Sequence, residues 1–329
     1  MDEKLPLCEL LDTIREIVNE PRLLDSLIAQ GRVWNIITSA MDAIVDTDLA
    51  IEAYLHAINE SRANCDEHNL QKGLAYLFCS GALQTLFVQQ DAVLLLGKCL
   101  DIDFDLTKFP KLREIRDIRN ASIGHPVDQE SIYSNFIVQH SLGPSGFALW
   151  TFINGEEDYR VKNISIPDIV AMQREGLSNV LQSIIDHLHA RERSHREKYR
   201  MVKLSEILGS NLLYFCGKLS EGTKNHVTAG IGLAALETLA DHLKSAESAM
   251  KERGIERDNY DFVEYYYDIL EFPMNELHQY YEQRKNGQKT TIDDRTAYVF
   301  SFFVSKHFQK LEVLLAEIDA EYAKDPSSE

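Results

Sequence analysis

Apolar residues recur at alternating steps of four and three from Val33 through Ile37, Ala40, Ile44, Ile51, Leu55 and Ile58, with one gap bridged by Asp48. That period holds them on one face and predicts a long amphipathic helix. After the polar loop SRANCDEHN, a second helix over about 70 to 100 is apolar on most sides, so it belongs at the centre of a bundle. Two long helices in succession commit this part of the chain to helix-on-helix packing.

Gly73 to Gly97 is long enough to span a bilayer and carries one charge, Asp91. A central Asp costs about 3 kcal/mol on insertion, and Gln84, Gln89 and Gln90 need partners that lipid lacks. A buried bundle helix is therefore expected, and no membrane association.

Pro110 suits the first turn of a third helix, whose apolar stripe is Leu112, Ile115, Ile118 and Ala121, with Arg113, Arg116 and Arg119 on another face. The pattern then changes. IYSNFIVQH, FALWTFIN and YRVKNI are rich in aromatic and β-branched residues and separated by LGPSG and GEED, which predicts an antiparallel meander inserted at about 131–166. Helical periodicity resumes at Ser165 to Pro167 and runs into the basic stretch HARERSHREKYR. Further helices are expected over 201–219, 226–252, 258–285 and 292–323. The expected fold is mainly α: a helical N-terminal arm (1–30), a helical bundle with its β insertion (31–200), and a helical C-terminal domain (201–329).

The net charge of −18 repels nucleic acid and anionic membrane, so any RNA contact must use a local basic patch. One exists: Lys108, Lys111, Arg113, Arg116 and Arg119 face only Glu114 and Asp117 within the same segment. Five cysteines without a CxxC pair indicate neither a disulfide framework nor a cysteine zinc site, and they read as reduced thiols. The N-terminus lacks a basic segment followed by an apolar core, so a cytoplasmic location is expected.

Within KLREIRDIRNASIGHPV, the guanidinium of Arg119 can hold a phosphate, the Asn120 amide can polarise the site, and the His125 imidazole can move a proton near neutral pH. Lys111, Arg113 and Arg116 are the expected RNA-contacting residues. Gly124, His125 and Pro126 also suit plain helix termination: a C-terminal glycine, a cation at the dipole's negative end and a residue that cannot continue the helix.

RNASIGH resembles the signature of HEPN domains (higher eukaryotes and prokaryotes nucleotide-binding): an Arg, a polar residue, four spacers and a His. The resemblance covers roughly residues 30 to 200. It implies an α-helical bundle with the motif after two long helices, and a metal-independent endoribonuclease in which the RNA 2′-hydroxyl attacks its own phosphate. Arg119, Asn120 and His125 would be the catalytic set, with neither metal nor other cofactor. It further implies RNA, including tRNA, as substrate, a homodimer with a composite site, and work in prokaryotic phage defence or as a toxin.

An antitoxin or inhibitor protein is a further expected partner. Where toxins with nucleotidyltransferase antitoxins commonly carry a Tyr two residues after the His, this chain has Val127, with Tyr133 the nearest candidate. The alternative is a non-catalytic HEPN-like module that binds a nucleotide or a partner protein.

Other stretches point to blander roles. His187, His189 and His195 lack acidic or cysteine partners at metal-ligand spacing. The aromatic run NYDFVEYYYDILEF is acidic and reads as packing surface rather than a base-stacking face. No P-loop, dinucleotide fingerprint or serine-hydrolase elbow is present.

Overall fold

A computed structural model describes residues 7–60, 68–105, 108–124, 133–153, 159–209, 211–256 and 261–323. The fold is mainly α, 80% helical, with one small antiparallel sheet. It forms two compact units, Met1–Leu188 and His189–Glu329. The sequence places a boundary near residue 200; the structural division falls between Leu188 and His189, inside the helix Ile166–Tyr199.

The first unit contains α1 (Cys8–Val18), α2 (Pro21–Ala29), α3 (Val33–Glu60), α4 (His68–Cys99) and α5 (Pro110–Arg119), followed by a π-helical turn, Asn120–Gly124. Strands β1 (Tyr133–Ile137), β2 (Gly146–Ile153) and β3 (Tyr159–Ser165) precede α6 (Ile166–Tyr199). α3 and α4 pack along their lengths, and the α3 period Ile37, Ala40, Ile44, Ile51 and Ile58 is buried as its spacing demands. Leu11, Ile14 and Val18 of α1 join the same core, so the N-terminal segment is an integral part of the bundle.

Three glutamines, two of them on α4, enter this core. Gln89, Gln90 and, from α6, Gln173 are at most 1% exposed, and they partner one another. Gln173 Nε2 donates to Leu86 O (2.8 Å) and Gln89 Oε1 (2.9 Å), and Gln90 Nε2 donates to Gln173 Oε1 (2.7 Å) and Leu112 O (3.2 Å). The ladder fixes the rotation of α4 against α5 and α6, because turning any one helix would strand a buried amide. Asp48, also buried, accepts from Arg174 Nη2 at 3.1 Å. Burial pushes the Cys79 thiol up to about 11, consistent with an inert core thiol.

The sheet order is β1-β2-β3, with Phe136 opposite Trp150 and Trp150 opposite Val161. Alternation sends Phe147, Leu149 and Ile164 into the core. Phe136, Trp150, Phe152, Tyr159 and Val161 share the other face.

The second unit comprises the end of α6 with α7 (Leu204–Gly209), α8 (Leu212–Gly222), α9 (His226–Glu252), α10 (Asp261–Lys285) and α11 (Asp294–Ala323). The single helix expected over 201–219 is two, and Asn211, in the left-handed region at φ 59°, begins the second. α8 and α9 touch through Gly222 and Gly232, where a Cβ on either would meet the other's Cα within 3 Å. Arg253 is 1% exposed: its Nη1 donates to Asp319 Oδ1 at 3.2 Å, its Nη2 to Val202 O, and its guanidinium lies over Tyr322 and Tyr199. Asp319 in turn accepts the Leu204 and Ser205 amides that open α7, both at 2.9 Å. In the aromatic run Tyr267 is buried, whereas Phe262 and Phe272 are exposed.

Candidate functional site

α5 is set in place by its buried stripe Leu112, Ile115 and Ile118 and by Gln90, which accepts from Arg116 Nε at 2.8 Å. That rotation carries Arg116 and Arg119 to the same side as α4. Both guanidiniums lie over the Phe87 ring, each 4.4 Å from its centroid.

Their charges have different fates. Arg116 also pairs with the Asp91 carboxylate, which neutralises it. Arg119 meets neutral acceptors: its Nε and Nη2 donate to Gln84 Oε1 (3.2 and 2.7 Å) and its Nη1 to Asn120 Oδ1 (3.0 Å). Two amides and a ring orient this guanidinium without cancelling its charge. A guanidinium has five N–H donors, so the fork still has N–H groups to offer an anion.

The turn after α5 makes room for it. A Cβ at Gly124 would sit 2.6 Å from Arg119 Nη1 and 3.2 Å from Asn120 Oδ1. This corrects the sequence expectation for Gly124. It is not a left-handed helix cap, since it is absent from the positive-φ glycines among the described residues; its missing side chain is the space Arg119 occupies. π turns of this kind recur at functional sites. His125 follows directly in sequence but lies outside the described residues, as do Pro126 and Val127.

No family model, curated protein or solved structure matches the chain.

The other sequence candidates are placed as follows. Lys111 is paired with Glu175 at 2.7 Å, both side chains half or more exposed, so the pair is loosely held in solvent. Arg113 is exposed. Among the described residues no group of three His, Cys, Asp or Glu could hold a metal, and His195 lies 3.3 Å from the Tyr322 hydroxyl. No described helix is long and apolar enough to cross a membrane. Sequence reasoning missed Gln84, Phe87 and Asp91 as partners of the arginines; the available signal was a set of polar residues inside an otherwise apolar helix.

Proposed function

We propose that the chain is a metal-independent endoribonuclease of HEPN type, a cytoplasmic protein of prokaryotic phage defence or toxin systems that acts on structured RNA such as tRNA. The observation that carries this reading is the Arg119 guanidinium, oriented by Gln84, Asn120 and Phe87 and with no carboxylate partner among the described residues. Such a group binds a phosphate and gains strength as the phosphate acquires charge in the transition state.

The RNA 2′-oxygen attacks phosphorus and loses its proton, the bond from phosphorus to the 5′-oxygen breaks, and that oxygen gains a proton. The products are a 2′,3′-cyclic phosphate and a 5′-hydroxyl. His125 serves as the proton carrier, and Asn120 polarises the site through its contact with Arg119.

One motif supplies one imidazole, whereas the step moves two protons. A homodimer with a composite site answers this, and α4 offers a seam for it. Leu74, Leu77, Gly81, Gln84, Val88, Asp91 and Leu95 follow one another at steps of three and four, all exposed, with Leu77 at 67%. Gln84 and Asp91, which hold the two arginines, lie on that stripe, so pairing two stripes antiparallel brings two sites together.

A second reading, a non-catalytic module for a nucleotide or partner protein, is favoured by the net charge of −18 and by the neutralisation of Arg116. Incubation of purified protein with total RNA in EDTA separates the two. Cleavage leaving cyclic phosphate ends supports the enzyme, and its absence across salt and substrates supports the module.

A further inference from the structure

We propose that Arg116 is a second phosphate-binding residue beside Arg119, and that Asp91 is its resident anion, which a phosphate of bound RNA displaces. The proposal deepens the ribonuclease reading and rests on it for the class of ligand.

The two guanidiniums belong to one place. Each lies 4.4 Å from the centroid of the same Phe87 ring, so they are separated by no more than twice that distance. Neighbouring phosphates of a single RNA strand can bridge such a gap.

Arg116 is held in three ways, and only one of them involves an anion. Its Nε donates to Gln90 Oε1 at 2.8 Å, its guanidinium lies over Phe87, and its Nη2 donates to Asp91 Oδ1. Gln90 is 1% exposed and is itself fixed by its bonds to Gln173 and to the Leu112 carbonyl. These neutral contacts keep the guanidinium in position whether or not the carboxylate is there. Asp91 is therefore not needed to place Arg116; it occupies the Nη2 end of the fork. A phosphate oxygen makes the same charge-assisted contact with a guanidinium as a carboxylate oxygen does.

Exposure argues that this pair exchanges. The Asp91 side chain is 52% exposed against 19% for Arg116, and Arg116 is its one hydrogen-bond partner among the described residues. A carboxylate half in solvent turns away without being stranded in the core, and an exposed ion pair holds its members weakly. The structural pairs of this chain are built differently. Asp48 and Asp319, which pair with Arg174 and Arg253, have side chains only 1% and 10% exposed.

The probe is a short 2′-O-methyl single strand, labelled for anisotropy and titrated in EDTA; it cannot be cleaved because its nucleophile is blocked. Asp91→Asn should bind it about threefold to fivefold more tightly than wild type. Arg116→Gln should bind it more weakly, with the slope of log affinity against log salt flattened by about 0.7. In the double variant the gain from Asp91→Asn should vanish, because that gain needs the Arg116 guanidinium. With unmodified RNA, the loss in Arg116→Gln should be carried mainly by KM, since Arg116 holds a phosphate that does not react. If Arg116→Gln fails to fold, Arg116→Lys replaces it in the cycle; it keeps the charge and loses the fork, so the gain should shrink.

Four outcomes overturn the proposal. The first two are absence of binding by any variant and an Asp91→Asn chain that binds no more tightly than wild type. A gain of equal size with Gln at position 116 assigns the effect to the loss of one negative charge from the whole chain. A gain accompanied by a changed mass in light scattering assigns it to the α4 seam, on which Asp91 also lies. The expected binding cycle in a chain that cuts no RNA keeps the exchange and removes the ribonuclease reading. Cleavage in EDTA that is indifferent to both residues does the reverse.

Discussion

Gln84 and Arg119, one near the middle of α4 and the other at the end of α5, are joined by two hydrogen bonds to a single amide oxygen, at 2.7 and 3.2 Å. The acceptor is neutral, so the contact fixes the direction of the guanidinium and preserves its charge. Replacing Gln84 by Ala removes this contact with Arg119 and shortens one side chain on the α4 stripe. RNA cleavage should fall between about tenfold and a hundredfold, while stability stays within about 0.5 kcal/mol because Gln84 is exposed. Gln84→Glu should be at least as damaging, since a carboxylate there would pair with the guanidinium. Initial rates and urea melts of both variants check this.

Gly124→Ala tests the same guanidinium from the opposite side. A Cβ placed 2.6 Å from Arg119 Nη1 and 3.2 Å from Asn120 Oδ1 forces the fork to move and crowds the Asn120 amide, both of them ends of side chains. Cleavage should drop by about tenfold or more, with stability changed by no more than about 1 kcal/mol. A variant that cuts RNA at the wild-type rate would mean the position of Arg119 is immaterial.

The two halves of this site differed in how far they could be read from sequence. The α3 helix was legible because its spacing alone determines which residues are buried, and the meander because its aromatic and β-branched runs are punctuated by Gly and Pro. Arg119 and Asn120 stood out by type and spacing. Their partner Gln84 did not, because it lies 35 residues earlier on another helix and only the packed bundle brings the two together. Gly124 illustrates the opposite failure. Local rules supply a sufficient reason for a glycine at a helix end, and the real reason is a side chain on the preceding turn. The split of 201–219 into α7 and α8 was likewise obscured, since their buried Leu208, Leu212, Cys216 and Leu219 keep helical spacing across the break.

If the α4 stripe is the seam between two copies, Leu77→Glu should abolish dimerisation. The residue is 67% exposed in one chain, and Glu is a good helix former, so the fold should survive. Light scattering should move from twice 37.6 kDa to 37.6 kDa with helicity unchanged, and cleavage should be lost with the dimer. A wild-type chain that is monomeric at micromolar concentration would remove the composite site.

In the second unit, Arg253→Met leaves Asp319 without its buried cation, a loss worth about 3 to 5 kcal/mol. Hydrogen exchange should accelerate in α7, α9 and α11, while α3 to α6 as far as Leu188 keep their protection. Equal loss in both units would show that they unfold as one.

The central claim is that Arg119 and His125 cut RNA without metal. The most direct measurement is the end chemistry of RNA treated in EDTA with wild type, Arg119→Ala and His125→Ala. The account predicts 2′,3′-cyclic phosphate ends from wild type and a loss of at least a hundredfold in each variant. Wild type and variants equally inactive over a range of salt and substrates, or cleavage that persists in both variants, would contradict it.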